Sequence, residues 1–217
     1  LDVTNSLGSG VPANGAPAVL LNVTATGASA DPFLTLYPTG ATRPQASNLN
    51  VTPARSIANL VAVAVPPSGT VTIYNSAGSV DVIADVVGWY GAAAESVFTP
   101  VVPSRRFDTR QGTPPGGPFA TGEQRSVDVT GVSGGPDDAT AVVVNVTATN
   151  TGADTFVTVW PSGVSRPLTS NLNVSAGWTL ANLVVAKVGT DGRLALYDNT
   201  GPPALIGDVV GWYGPPD

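Results

Sequence analysis

Two aspartates, Asp85 and Asp208, are the residues whose setting most invites chemistry, because each lies in a run such as Val82-Ile83-Ala84-Asp85-Val86-Val87. Strand alternation puts Asp85 on one face with Ile83, Val87 and Trp89. The opposite face, Val82, Ala84, Val86 and Tyr90, is also apolar, so the carboxylate is expected to be at least partly buried. A buried carboxylate must be hydrogen-bonded, paired or held neutral. One role for such a pair is a ligand or metal contact. The simpler one is an internal polar clamp that accepts from a loop backbone or from Arg43 and Arg166 in the Arg-Pro turns. A second charged element, Arg105-Arg106-Phe107-Asp108-Thr109-Arg110, surrounds Asp108 with guanidinium groups. It could grip an anionic polymer through bidentate contacts. The simpler expectation is an arginine–aspartate staple of Arg105, Asp108 and Arg110.

Recurrent amides and aromatics form the other candidate set. Asn22, Asn48, Asn50 and Asn59 return as Asn145, Asn171, Asn173 and Asn182. Amides inside strand-like runs either form a sugar-binding ladder or satisfy backbone groups at bulges and crossovers. Trp89-Tyr90 and Trp212-Tyr213 place one ring inward and its neighbour outward, since adjacent strand residues point to opposite faces. Tyr37 and Trp160 share another position, and Trp178 stands where the first copy has Arg55. Rings beside Asn48, Asn50, Asn171 and Asn173 are what a protein offers a sugar to stack on, and core packing is the competing explanation.

Catalysis is disfavoured by elimination. The chain has no histidine and no cysteine, so nucleophilic triads and thiolate or imidazole metal sites are ruled out. No phosphate-binding glycine motif and no calcium loop is present. The expectation is no catalytic residue, no metal and no cofactor. Charge is sparse, 11% of residues with a net of −6, and Lys187 is the single lysine. Without a basic face, nucleic acid is not an expected partner. No apolar run approaches the roughly 18 residues needed to span a bilayer.

These residues are carried by a duplication. Asn22-Val23-Thr24-Ala25-Thr26, Ser47-Asn48-Leu49-Asn50-Val51, Ala58-Asn59-Leu60-Val61 and Asp85-Val86-Val87-Gly88-Trp89-Tyr90 all recur 123 residues later. A constant offset keeps every intervening loop at one length and marks a repeated structural unit. Short runs rich in Val, Thr, Ile and Tyr, cut by turns every 8 to 12 residues, predict an all-β protein with two tandem β-sandwich lobes and little or no helix. Strands are expected near 17–26, 32–37, 46–51, 57–65, 70–75 and 80–90, and near 140–149, 155–160, 169–174, 179–188, 193–198 and 204–213. Asp191-Gly192 reads as a hairpin turn. The lobes are expected at 1–96 and 97–217. Segment 98–126 has no counterpart in the first copy, after which Val127-Asp128-Val129-Thr130 matches Leu1-Asp2-Val3-Thr4. Either the sequence begins inside the first repeat, which is the favoured expectation, or 98–126 serves both lobes.

The order P-x-R-x-x-D-T-R, A-V-V-x-N-V-T-A-T, S-N-L-N, A-N-L-V and D-V-V-G-W-Y resembles a tandem repeat of secreted and cell-surface proteins of high-G+C Gram-positive bacteria. The matching residues include Pro103, Arg105 or Arg106, Asp108, Thr109 and Arg110. The resemblance implies an extracellular setting, an accessory role and no established activity. Together these features lead to the expectation of a non-catalytic binding or adhesion module for a polysaccharide or cell-surface glycan, with two weak sites gaining avidity. The alternative is a structural stalk or spacer.

Overall fold

The computed structural model describes residues 1–4, 10–14, 16–92, 94–111, 116–131 and 136–215. Among them there is no helix; the chain is all-β and divides into two compact units, Leu1–Ala94 and Glu95–Asp217.

Unit 1 holds β1 (Ala18–Thr26), β2 (Phe33–Pro38), β3 (Leu49–Asn50), β4 (Ile57–Ala64), β5 (Val71–Asn75) and β6 (Asp81–Tyr90). They form two antiparallel sheets, β4-β1-β6 and β3-β2-β5. Unit 2 opens with β7 (Val97–Asp108) and β8 (Gln124–Asp128). It then repeats the same set as β9 (Ala141–Thr149), β10 (Thr155–Pro161), β11 (Leu172–Val174), β12 (Leu180–Lys187), β13 (Arg193–Asp198) and β14 (Ala204–Gly214). Its sheets are β12-β9-β14-β7 and β11-β10-β13-β8. Each unit is a β-sandwich whose inward residues, such as Val19, Leu21 and Val23 on β1 or Val142, Val144 and Val146 on β9, fill one core.

The turns work differently from the sequence expectation at one point. Asp191-Gly192 does not close a hairpin, because β12 pairs with β9 while β13 pairs with β10 and β8. The turn carries the chain from one sheet to the other, and Gly192 supplies the positive φ of 76° that it requires. Turn chemistry fixes a reversal of direction; it does not say whether the strands on either side meet.

A bulge also changes the faces read from alternation. Leu20 lies opposite Gly88 and Leu21 opposite Val86, so Val87 is the extra residue; Val210 has the same place in unit 2. A bulge shifts the side-chain parity downstream. Trp89 therefore joins Val82, Ala84 and Val86 against the core, not Asp85, and Tyr90 turns outward.

The two units differ at one edge of each sheet. In unit 2 β8 flanks β13; in unit 1 its counterpart shrinks to a single bridge between Asp2 and Thr70, with Val3 donating its N–H to the Gly69 carbonyl at 3.0 Å. β7 flanks β14 in unit 2, while β6 is an end strand.

Candidate functional site

The densest polar constellation is built where β7 meets β14. The Arg105 guanidinium grips Asp208 with two N–H groups, Nε to Oδ1 at 2.5 Å and Nη2 to Oδ2 at 3.2 Å, and reaches Asp108 Oδ2 with Nη1 at 2.9 Å. Arg110 donates to Asp108 from its backbone N–H (3.1 Å), from Nε (2.9 Å) and from Nη2 (2.6 Å). Between them Thr109 is fully buried; its N–H donates to the Leu205 carbonyl at 3.0 Å, and its Oγ1 accepts from the Leu205 N–H at 2.8 Å. Next to this, the Phe107 ring lies over Gly207, where an added Cβ would stand 2.1 Å from the ring. An aromatic ring covering a cross-strand glycine pins register, because no other residue leaves the space. Asp108 is buried. The hydrogen bonds from Arg110, with the nearby positive charge of Arg110 and Arg105, outweigh burial and hold its carboxyl at about 2. Both carboxylates are held by arginines of the same unit, so the cluster works as a staple for β7.

Asp85 occupies the position of Asp208 without an arginine opposite. Among the described residues no hydrogen bond or ion pair reaches its carboxylate, and burial pushes its pKa above the ordinary value. Arg43 and Arg166 do not clamp the aspartates. Arg43 lies over the Tyr74 ring at 3.9 Å and Arg166 over Tyr197 at 3.5 Å. Guanidinium planes stack well on aromatic faces, and here they stay on the sheet opposite the aspartates.

Most of the nominated amides are engaged internally. Asn48 Oδ1 accepts from the Leu36 N–H and Asn171 Oδ1 from the Val159 N–H, each at 2.7 Å. The Asn48 and Asn171 carbonyls accept from Asn59 Nδ2 and Asn182 Nδ2, also at 2.7 Å. Asn59 and Asn182 stand on β4 and β12, in the other sheet, so this repeated relay ties the two sheets of each sandwich together. Asn173 pairs with Ser170, and Asn50 is exposed on β3.

Aromatics follow the same rule. Trp89 and Trp212 pack against their cores, and the indole N–H of Trp212 is buried with no hydrogen-bond partner among the described residues. Trp160 is 2% exposed, so it offers no surface for stacking, and its N–H donates to the Val164 carbonyl at 3.0 Å. Its counterpart Tyr37 is half-buried. Tyr213 meets the Phe98 ring of β7, centroids 5.3 Å apart, whereas Tyr90 is 40% exposed. Trp178 is 50% exposed, at a place where unit 1 has Arg55.

The residues missed from sequence are those that close these clusters. Phe33–Tyr74 and Phe156–Tyr197 recur in both units with centroids 6.0 Å apart, next to Arg43 and Arg166. The 123-residue offset shared by both rings was the available signal. Among the described residues, no group of three His, Cys, Asp or Glu side chains could hold a metal ion, and no helix is long and apolar enough to cross a membrane. No protein-family model, curated protein or solved structure matches the chain.

Proposed function

We propose that the chain is a non-catalytic structural repeat of a secreted or cell-surface protein, a stalk or spacer segment. The observation that carries this is the internal use of the repeated relay amides and of the paired tryptophans. The amide relay joins the sheets, the Trp89 and Trp212 rings pack on the cores, and the Arg105–Asp108–Arg110 cluster staples a strand. Residues kept in duplicate for their packing support a duplicated scaffold.

A second reading, recognition of a polysaccharide, is favoured by one observation: the Phe33–Tyr74–Arg43 and Phe156–Tyr197–Arg166 clusters repeat, with both arginines exposed. The guanidinium over each tyrosine covers the face that a sugar would use, which favours the structural reading. A polysaccharide and glycan panel titrated with the intact chain separates the two. No saturable binding is the expected outcome. A saturable hit that weakens in Tyr74→Ala and in Tyr197→Ala, and is lost in the double variant, would replace the spacer with a bivalent binding module.

A further inference from the structure

β6 and β14 carry closely similar sequences and differ in what covers their outer edge. Ile206 is 7% exposed beneath β7, while its counterpart Ile83 is 54% exposed. Leu205, Gly207 and Val209 are buried, while Val82, Ala84 and Val86 are only partly so. Tyr213 meets the Phe98 ring while Tyr90 is 40% exposed; Asp208 holds Arg105 and Asp85 holds nothing among the described residues. All four differences have one cause, the strand that lies along β14. An uncovered strand edge with a flanking apolar strip is a template for strand addition.

We propose that the outer edge of β6 is a strand-acceptor site for an extended polypeptide segment, running antiparallel, with an arginine opposite Asp85, an Asp-Thr-Arg sequence beyond it, and a side chain smaller than phenylalanine opposite Ala84. The register comes from unit 2, where Asp208 faces Arg105, Gly207 faces Phe107 and Tyr213 faces Phe98. The charge requirement follows from the lone carboxylate. The size requirement follows from the change of glycine to alanine: the methyl of Ala84 occupies the space over which the Phe107 ring lies in unit 2. Gly88 keeps the glycine found at Gly211, which lies under the Phe98 ring, so an aromatic side chain beside Tyr90 is accommodated. The β7 strand of a second copy carries Phe107 and is the poorer fit. The inference takes from the structural reading only that a β7-type strand belongs to the repeat.

The test uses a synthetic peptide of the 97–111 sequence carrying Phe107→Val, titrated into the full chain with residue-level hydrogen exchange to locate it. Saturable binding with new protection on β6 is expected. The unaltered 97–111 peptide should bind at least about tenfold more weakly. Asp85→Asn in the chain, or Arg105→Ala in the peptide, should each cost about tenfold, and the two together no more than one alone, since either removes the same charge-assisted contact. No saturable binding of the Val peptide, protection on β14 in place of β6, equal affinity for the two peptides, indifference to Asp85→Asn, or self-association of the chain through its own β7 would each overturn the proposal. In the first case Asp85 is an edge-blunting charge, and the spacer reading stands or falls separately on the glycan panel.

Discussion

Phe107→Ala is expected to remove about 3–5 kcal/mol from the stability of unit 2 and nothing from unit 1. The side chain is buried in the unit 2 core, so its loss removes a large apolar surface and leaves a cavity. It also uncovers Gly207, the glycine in the middle of β14 whose backbone the ring shields. The measurement is urea unfolding in a Trp89→Phe background, where the remaining tryptophans, Trp160, Trp178 and Trp212, all report on unit 2. Gly207→Ala should cost about 1–3 kcal/mol by overpacking against the same ring. Combined with Phe107→Ala its extra cost should shrink, because the ring it strikes is gone. Additive losses would show that the ring and the glycine do not form one contact.

Asp108→Asn is expected to cost about 2 kcal/mol at neutral pH, with a pH signature that a packing defect lacks. Arg110 first, then Arg105, hold the carboxyl at about 2, below its ordinary value of 3.8. A lowered carboxyl stabilises the fold above the unfolded-state pKa, and that stability is lost as pH falls from about 4 through about 2. The full shift corresponds to about 2.5 kcal/mol, reduced because both arginine side chains are over two-fifths exposed to screening solvent. Unfolding at pH 7 and at pH 2.5 should show the wild-type advantage over Asp108→Asn shrinking at the lower pH. An advantage that is the same at both would rule out the charged staple. Asp85 provides a control of opposite sign. Burial raises its pKa, so the folded state binds the proton more tightly, and its contribution falls as pH rises above the ordinary carboxylate range. Asp85→Asn should therefore hold or raise stability at neutral pH.

The repeat made most of the fold legible. A constant offset of 123 residues gave the strand positions twice over, and the strands stand within a few residues of the expected positions wherever they end at Gly, Pro or Asn turns. The short β3 and β11 were expected longer, because the residues before them serve the Asn48 and Asn171 relay and not a ladder. Facing was lost at Val87 and Val210, since a bulge leaves no mark in a run of valines. The Arg105–Asp108–Arg110 staple could be read from local charge spacing. Its link to Asp208 spans 103 residues and depends on β7 lying beside β14, which no local pattern encodes. Arg43 and Arg166 were matched to the wrong partners for a related reason: the sequence offers aspartate and tyrosine alike, and sheet membership decides between them.

Residue-resolved hydrogen exchange of the chain tests most directly whether the repeat is completed by a β7-type strand, which among the described residues lies only in unit 2. Amides of β6 that point away from β1 are predicted to exchange orders of magnitude faster than their counterparts on β14, 123 residues later, while amides pointing toward β1 and β9 are protected alike. Equal protection along both edges of β6 would mean that unit 1 is already closed, and would contradict the assignment of Asp85 and Ile83 to an open edge.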